Sequence, residues 1–223
     1  MTQARPTVFV VDDEPSVLTA VSRLFRSAGL RVAAFASPGE FLKNYDPAEP
    51  GCLVLDVAMP GLNGLELQQA LAAGGAAWPI IFLTGRADIP MSVRAMKQGA
   101  VDFLCKPVDD ATLITAVRGA IEKDRVSRRT REERAEIQRR LATLTPRERE
   151  VLAHVVSGRL NKQIAGDLGT VEKTIKVHRG RVMQKMKARS LAELVTLADR
   201  AGLRPMPPTQ AEHRPERAGS LSV

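Results

Sequence analysis

The sequence predicts two domains of different class: an α/β domain with a doubly wound five-stranded parallel sheet, followed by a smaller all-α domain. The first half contains five short runs of β-forming residues, separated by segments with helical spacing of apolar residues. Such alternation is typical of α/β domains. The runs are TVFVV (7–11), RVAAF (31–35), CLVLD (52–56), PIIFL (79–83) and VDFL (101–104). Several are apolar throughout, as in strands buried on both faces of a parallel sheet.

The second half is predicted to be helical. A segment at 121–140 is mostly charged and lacks Gly and Pro, which favours a solvated helix over a coiled coil. Thr145, Pro146 and Glu148 form a capping-box pattern, so a helix is expected to reach about residue 156. Caps and apolar spacing predict three further helices, at 161–168, at 171 to about 186 with Thr170 as N-cap, and at 191–202.

These patterns divide the chain into four expected parts. Residues 1–122 form the α/β domain, 123–140 a charged helical linker, 141–203 a four-helix domain and 204–223 a disordered Pro-rich tail. The overall composition, 44% hydrophobic and 26% charged residues, is that of a globular protein.

The two halves differ strongly in charge. Residues 1–120 carry 10 Lys and Arg against 12 Asp and Glu, whereas residues 121–223 carry 23 against 13, and the whole chain has a net charge of +8. A near-neutral half followed by a strongly basic half indicates that the second half binds a polyanion.

Composition also excludes several classes of protein. Two cysteines, Cys52 and Cys105, are too few for a disulfide framework and lack metal-ligand spacing. The N-terminal residues have no apolar core of a signal peptide. The most apolar stretch, at 70–83, is broken by Gly and Pro and is shorter than the roughly 20 residues that span a bilayer. We therefore expect a cytoplasmic protein without a membrane partner.

Five polar residues lie at strand ends of the predicted sheet: Asp12 and Asp13 after the first strand, Asp56 at the third, Thr84 after the fourth and Lys106 after the fifth. With the strand order 2-1-3-4-5, these ends meet in one crevice. Three carboxylates, a hydroxyl and an ammonium group suit a hard divalent cation together with a phosphoryl group.

This crevice predicts a phosphoryl transfer to the chain itself. The Asp56 carboxylate would attack phosphorus and give an acyl phosphate. Asp13, Asp56 and a loop carbonyl would hold Mg²⁺ or Mn²⁺, with Asp12 acting partly through water. Lys106 would supply a second cation, and the Thr84 hydroxyl would bond a phosphoryl oxygen.

The helix predicted at 171–186 has two unlike faces. An inner face is expected to pack inward, with His178 as a structural histidine, and consists of Val171, Ile175, His178, Val182 and Met186. The opposite face is rich in lysine and fits the recognition helix of a helix-turn-helix. The candidate DNA contacts are Lys162, Thr170, Lys173, Lys176, Val177, Arg179, Gly180 and Arg181.

Several motifs together resemble the NarL/FixJ family of two-component response regulators, which join a flavodoxin-like receiver domain to a LuxR-type helix-turn-helix. The resemblance spans about residues 7–203 and is carried by VVDDEPSV, LVLDVAMPGLNGLEL, FLTGRADIPMSVRAMKQGAVDFLCKP and TPREREVLAHVVSGRLNKQIAGDLG. It implies that Asp56 is the phospho-acceptor, Thr84 the switch hydroxyl and Phe103 a rotating aromatic switch. It also implies a cis Lys106–Pro107 peptide and a metal contact from the Ala58 carbonyl.

The resemblance implies a phosphorylation-dependent transcriptional regulator, with activation favoured over repression, and not an enzyme. Its expected partners are a sensor histidine kinase, promoter DNA, RNA polymerase and, on phosphorylation, a second copy of the chain. Two alternatives remain open at this point. One is a constitutive DNA-binding dimer with a receiver that serves as a scaffold, and the other is a phosphatase of the haloacid-dehalogenase type.

Overall fold

The computed structural model describes residues 5–76, 78–85 and 89–203. The first part alternates strands and helices as predicted. Its elements are β1 Thr7–Val11, α1 Pro15–Ser27, β2 Arg31–Phe35, α2 Pro38–Asn44, β3 Gly51–Leu55, α3 Gly64–Ala73, β4 Ile80–Thr84, α4 Ile89–Lys97, β5 Asp102–Cys105 and α5 Asp110–Ala142.

The five strands form one parallel sheet in the order β2-β1-β3-β4-β5, which confirms the predicted fold class and strand order. Strands β3, β4 and β5 are each displaced by one residue from the predicted runs. As a result, Asp56 directly follows β3, and Thr84 is the last residue of β4.

Each face of the sheet has its own apolar core. On one face, α2, α3 and α4 pack with residues that include Phe41, Leu67 and Ala95. On the other face, α1 and α5 pack with residues that include Phe25 and Val117. The inner strands β1, β3 and β4 are buried along their whole length, which explains their unbroken apolar sequences.

The helix α5 is 33 residues long and contains the segment predicted as a charged linker. The chain divides into two compact units, Met1–Thr130 and Arg131–Val223. No helix in the described parts of the chain is long and apolar enough to cross a bilayer.

The second unit is helical. Besides the end of α5 it contains α6 Pro146–Val156, α7 Asn161–Asp167, α8 Glu172–Met186 and α9 Leu191–Arg200. The capping box predicted at Thr145 is present, with Glu148 Oε2 accepting the Thr145 N–H at 3.0 Å. The predicted disordered tail, 204–223, lies outside the described residues.

The start of α8 differs from the prediction. Thr170 was expected to be the N-cap, but this prediction was wrong: the N-cap is Val171, which makes no side-chain capping bond. The Thr170 N–H donates to the Ala165 carbonyl and so belongs to the end of α7. Since Val171 precedes the helix with extended backbone, its side chain is 64% exposed and does not lie on the inner face.

Glycine is required at the start of β3. A Cβ at Gly51 would overlap the Thr7 carbonyl oxygen on the neighbouring strand. We expect Gly51→Ala to lower the free energy of unfolding by roughly 2 kcal/mol or more, since backbone must shift. Gly119→Ala is the matched control: it lies in α5, meets nothing within 4 Å, and should be neutral or stabilising by about 1 kcal/mol. Equal urea midpoints for the two variants would contradict this account.

Candidate functional site

The polar residues after β1, β3 and β5 meet at one end of the sheet. The Lys106 Nζ donates to Asp12 Oδ2 at 2.6 Å and to Asp56 Oδ1 at 3.0 Å. The two carboxylate side chains are 4% and 6% exposed, and that of Lys106 is 18% exposed. One ammonium group therefore bridges two nearly buried carboxylates that are far apart in sequence.

Backbone amides orient the remaining oxygens of the two carboxylates. The Glu14 N–H donates to Asp12 Oδ1 at 2.9 Å, and the Ala58 N–H donates to Asp56 Oδ2 at 2.6 Å. Both donors lie two residues after the carboxylate they bind, in the loop that follows a strand. The loops thus leave each carboxylate in a fixed orientation at the carboxyl end of the sheet.

Gly64 is a residue of this site that the sequence reasoning did not single out. It is the first residue of α3, and a Cβ there would overlap the Asp56 carbonyl oxygen. The preceding Asn63 forms a capping box with Glu66, which fixes where the helix begins. The signal for this close approach was the glycine directly after an N-cap asparagine in the stretch PGLNG.

Burial and charge act against each other in the crevice. Burial raises the pKa of the Asp12 carboxyl, and its hydrogen bond to Lys106 offsets this only in part. Burial acts to lower the pKa of Lys106, but the hydrogen bonds to Asp12 and Asp56 outweigh it, so that the pKa is raised. The ammonium form of Lys106 is therefore favoured, while Asp12 carries a charge that its surroundings do not fully compensate.

The other predicted members of the site lie around this bridge. Thr84 is fully buried at the end of β4, opposite Cys105 of β5. Phe103 is half-buried, and its ring centroid lies 5.9 Å from that of Phe82. The peptide between Lys106 and Pro107 is cis, as the resemblance implied.

The structure brings together two of the three predicted metal carboxylates. Asp13 is exposed, whereas Asp12 and Asp56 meet at Lys106. Within the described residues, no group of three or more His, Cys, Asp or Glu side chains is arranged to hold a metal ion. The donors still fit Mg²⁺ chemically, because they are carboxylate and carbonyl oxygens around an undercompensated Asp12 charge.

The predicted DNA contacts lie mostly on exposed parts of α7 and α8. Lys162, Lys173, Lys176, Gly180 and Arg181 are exposed. A Cβ at Gly180 would meet nothing within 4 Å, so this position leaves open space on the helix surface.

Three further candidates are less exposed or apolar. Val177 is 49% exposed on α8. Arg179 is half-buried and donates to Asn161 Oδ1 at 3.1 Å, which ties α8 to the start of α7. Thr170 is half-buried in the turn between the two helices.

An ion pair between a partly exposed lysine and a buried carboxylate joins α8 to α6 within the second unit. The Lys185 Nζ donates to Glu148 Oε2 at 2.6 Å, and the Glu148 side chain is 3% exposed. The hydrogen bond from Lys185 is the main cause that lowers the pKa of Glu148. At the end of α8, the Arg140 guanidinium donates to the Met186 carbonyl at 3.1 Å, where a cation complements the helix dipole.

His178 lies on α8 and is only partly accessible to solvent. Its side chain is half-buried, and its Nδ1 is buried without a hydrogen-bond partner among the described residues. This half-buried position agrees with a histidine that packs inward, as predicted.

Comparisons with known proteins identify both units. The family model described as "Response regulator receiver domain" matches residues 8–118, and that described as "Bacterial regulatory proteins, luxR family" matches residues 142–198. Nodulation protein W of Bradyrhizobium diazoefficiens is 49% identical over 196 residues, which are 88% of this chain and 86% of that protein. The chain belongs to the NarL/FixJ family of two-component response regulators.

Two further comparisons support this assignment. The transcriptional regulatory protein FixJ of Azorhizobium caulinodans is 46% identical over 198 residues, which are 89% of this chain and 94% of that protein. The structure of the response regulator StyR has a TM-score of 0.81 and 46% identity, and covers 88% of this chain and 99% of that one.

The family assignment confirms the predicted class of function. The chain is a DNA-binding transcriptional regulator of a two-component system, and its family is not one of enzymes. The alternative of a haloacid-dehalogenase-type phosphatase is therefore wrong. Its Asp-x-Asp pattern at the first strand is also absent, since β1 is followed by Asp12 and Asp13.

The undercompensated charge of Asp12 predicts a stability that depends on pH. Because the pKa of Asp12 is raised, protonation favours the folded response regulator, and this contribution is lost as the pH rises through the raised value. We expect Asp12→Asn to stabilise the receiver by up to about 1 kcal/mol at pH 7 with EDTA, and by less as the pH falls. Exposed Asp13→Asn is the control, with little expected change. Urea unfolding measures both, and a destabilised Asp12→Asn at pH 7 would contradict the prediction.

Proposed function

We propose that Asp56 accepts a phosphoryl group from a sensor histidine kinase. The observation that carries this proposal is the bridge of Lys106 between Asp12 and Asp56 at the carboxyl end of the sheet. Asp56 offers a nearly buried carboxylate whose orientation is fixed by the Ala58 N–H. Attack of a carboxylate oxygen on phosphorus forms the acyl phosphate, and the bond from phosphorus to the donor nitrogen breaks.

Mg²⁺ or Mn²⁺ is the cofactor proposed for this step. Asp12, Asp13, Asp56 and the Ala58 carbonyl would hold it, and the metal would neutralise charge on the phosphoryl oxygens. Because Asp13 is exposed, its side chain is free to turn toward the other two carboxylates. Lys106 supplies a second positive charge beside Asp56.

The proposed consequence of phosphorylation is dimerisation of the receiver. The Thr84 hydroxyl would bond the phosphoryl group, and Phe103 would turn inward from its half-buried position. Both residues lie on strands beside α4, and α4 exposes apolar side chains: Ile89 is 80%, Val93 44% and Met96 46% exposed. We propose that this face changes shape when Phe103 turns inward and then forms the contact between two receivers.

Dimerisation would place two basic helix-turn-helix units on two half-sites of promoter DNA in the cytoplasm. The second unit then gains affinity by avidity, without a new contact to DNA. We further propose that the DNA-bound dimer contacts RNA polymerase and activates transcription. The remaining alternative is a constitutive dimer that binds DNA whether or not Asp56 is phosphorylated.

Intact mass spectrometry tests the acceptor directly. After incubation with Mg²⁺ and acetyl phosphate, wild type should gain one phosphoryl group and Asp56→Asn none, because Asn lacks the nucleophilic carboxylate. Sedimentation of the same samples should show a shift from monomer to dimer for wild type alone. If Asp56→Asn dimerises and binds DNA like phosphorylated wild type, the constitutive alternative is correct.

Lys176 tests the proposed DNA interface. A lysine that contacts a phosphate releases about one counterion, so Lys176→Ala should reduce the slope of log affinity against log salt by roughly 0.9. A base contact would add a loss of about 1–3 kcal/mol that depends on sequence. Lys43→Ala, an exposed lysine of α2, is the control. Titration of a duplex over several salt concentrations gives the slope, and equal slopes for both variants would remove Lys176 from the interface.

A further inference from the structure

The last turns of α5 within the first unit are tied to the loop that precedes β3. The Arg128 guanidinium donates to three consecutive carbonyls of this loop, at 3.3 Å to Pro47, 2.8 Å to Ala48 and 2.7 Å to Glu49. Its Nε also donates to Asp124 at 2.7 Å, one helical turn earlier. Because a guanidinium holds its five donors in one rigid plane, this set of contacts fixes the direction of the helix at residue 128.

Asp124 joins the same helix to the sheet. Its side chain is 1% exposed, and Oδ2 accepts the Gly51 backbone N–H at 3.0 Å. Gly51 is the first residue of β3, at the position where the Thr7 carbonyl leaves no room for a Cβ. A buried carboxylate is costly unless it is paired and hydrogen-bonded. Arg128 and Gly51 both bind Oδ2, whereas Oδ1 is buried without a hydrogen-bond partner among the described residues, so the carboxylate depends on these two contacts.

The loop that Arg128 binds is itself fixed by hydrogen bonds from Trp78 and from Thr7 of β1. The Trp78 Nε1–H donates to the Glu49 carbonyl at 2.8 Å, and the Thr7 hydroxyl donates to the Glu49 carboxylate at 2.7 Å. The Thr7 N–H also donates to the Pro50 carbonyl at 2.9 Å. Arg128 therefore docks on carbonyls whose positions are set by β1 and Trp78. We call Asp124, Arg128 and the loop 47–51 the α5 anchor.

The α5 anchor and the proposed acceptor lie at opposite ends of one strand. β3 begins at Gly51, which Asp124 holds, and its last residue is followed directly by Asp56. Asp124 and Arg128 lie beyond residues 8–118, which the receiver family model matches. The helix that carries them continues to Ala142 in the second unit.

We propose that Asp124 and Arg128 are positioning residues that couple the state of Asp56 to DNA binding by the second unit. The inference rests on the proposed function of Asp56. By tying α5 to the first residue of β3, the anchor makes the helix that enters the second unit follow the strand that carries the acceptor. Without the anchor, Asp56 is still phosphorylated, but a shift of β3 no longer moves α5.

The variants are chosen to separate this role from a loss of folding. Arg128→Ala alone would leave the Asp124 carboxylate buried without its cation, so the main variant combines Asp124→Asn with Arg128→Ala. Arg128→Lys keeps the charge but loses the planar fork that reaches three carbonyls. Arg125→Ala is the matched control, because Arg125 lies on the same helix and pairs only with exposed Glu122 among the described residues.

The readout is the ratio of two affinities for one DNA duplex, selected with wild type from a random-sequence library. The ratio compares dissociation constants without and with acetyl phosphate and Mg²⁺. We expect every variant to be phosphorylated to the same extent as wild type, as measured by intact mass spectrometry. The ratio should fall about threefold or more in the double variant, less in Arg128→Lys, and stay unchanged in Arg125→Ala.

A second readout follows the anchor locally through the neighbouring Cys52. This thiol is fully buried, and its pKa is raised to about 12 by burial and by Asp124. In a Cys105→Ser background, alkylation of Cys52 should be faster in Arg128→Lys, which retains Asp124 and its effect on the thiol, than in Arg125→Ala, since the start of β3 opens more often.

Three outcomes would overturn the inference. One is a double variant with the full phosphorylation-dependent gain in affinity. Another is an equal loss of affinity with and without the phosphodonor, which would indicate a purely structural role. The third is an unchanged rate of Cys52 alkylation. If wild type itself shows no phosphoryl group or no gain in affinity, the proposed function of Asp56 fails first, and the two failures are thereby distinguished.

Discussion

The receiver has to compensate the charges of two nearly buried carboxylates, Asp12 and Asp56, at one end of its sheet. Like charges in a crevice are unfavourable, and only the Lys106 ammonium lies close enough to bridge them in the described residues. The strand order makes this possible, because β1 and β3 are neighbours and β5 lies two strands from β3 on the same side of β1. A sheet with its strands in sequence order would separate these ends.

The Lys106 bridge compensates the charge of Asp12 incompletely, and this lowers the stability of the fold. The raised pKa of Asp12 shows that burial outweighs the hydrogen bond from Lys106. A site with a fully compensated charge would gain little from a cation or from a phosphoryl group with its metal. A site that lacks positive charge gains more, so the same electrostatic deficit that weakens the resting fold favours the ligand-bound state.

Local sequence patterns predicted most of the fold and the polar crevice, because both depend on strand ends and on the order of strands. The start of α8 was missed by one residue, since Thr170 is a better N-cap than Val171 by side chain alone, while the Thr170 N–H is used to end α7. Gly64 and the Asp56 carbonyl meet only after α3 folds against the sheet. Such close approaches depend on packing that no local pattern contains.

The contacts of charged residues in the long helix α5 were likewise not predictable from local sequence. Its sequence from 121 to 140 reads as a solvated surface, because composition alone does not distinguish a charge in water from a charge in a buried pair. In the structure, Arg128 donates hydrogen bonds to loop carbonyls in the first unit, and Arg140 donates to the carbonyl of the last residue of α8 in the second.

Apolar residues at each end of the helix complete these contacts. Val117 lies in the core of the first unit and Ile137 in the core of the second. The same helix therefore supplies core residues to each of the two units. Its mostly charged sequence is compatible with both roles, because each core takes only a few apolar residues from it.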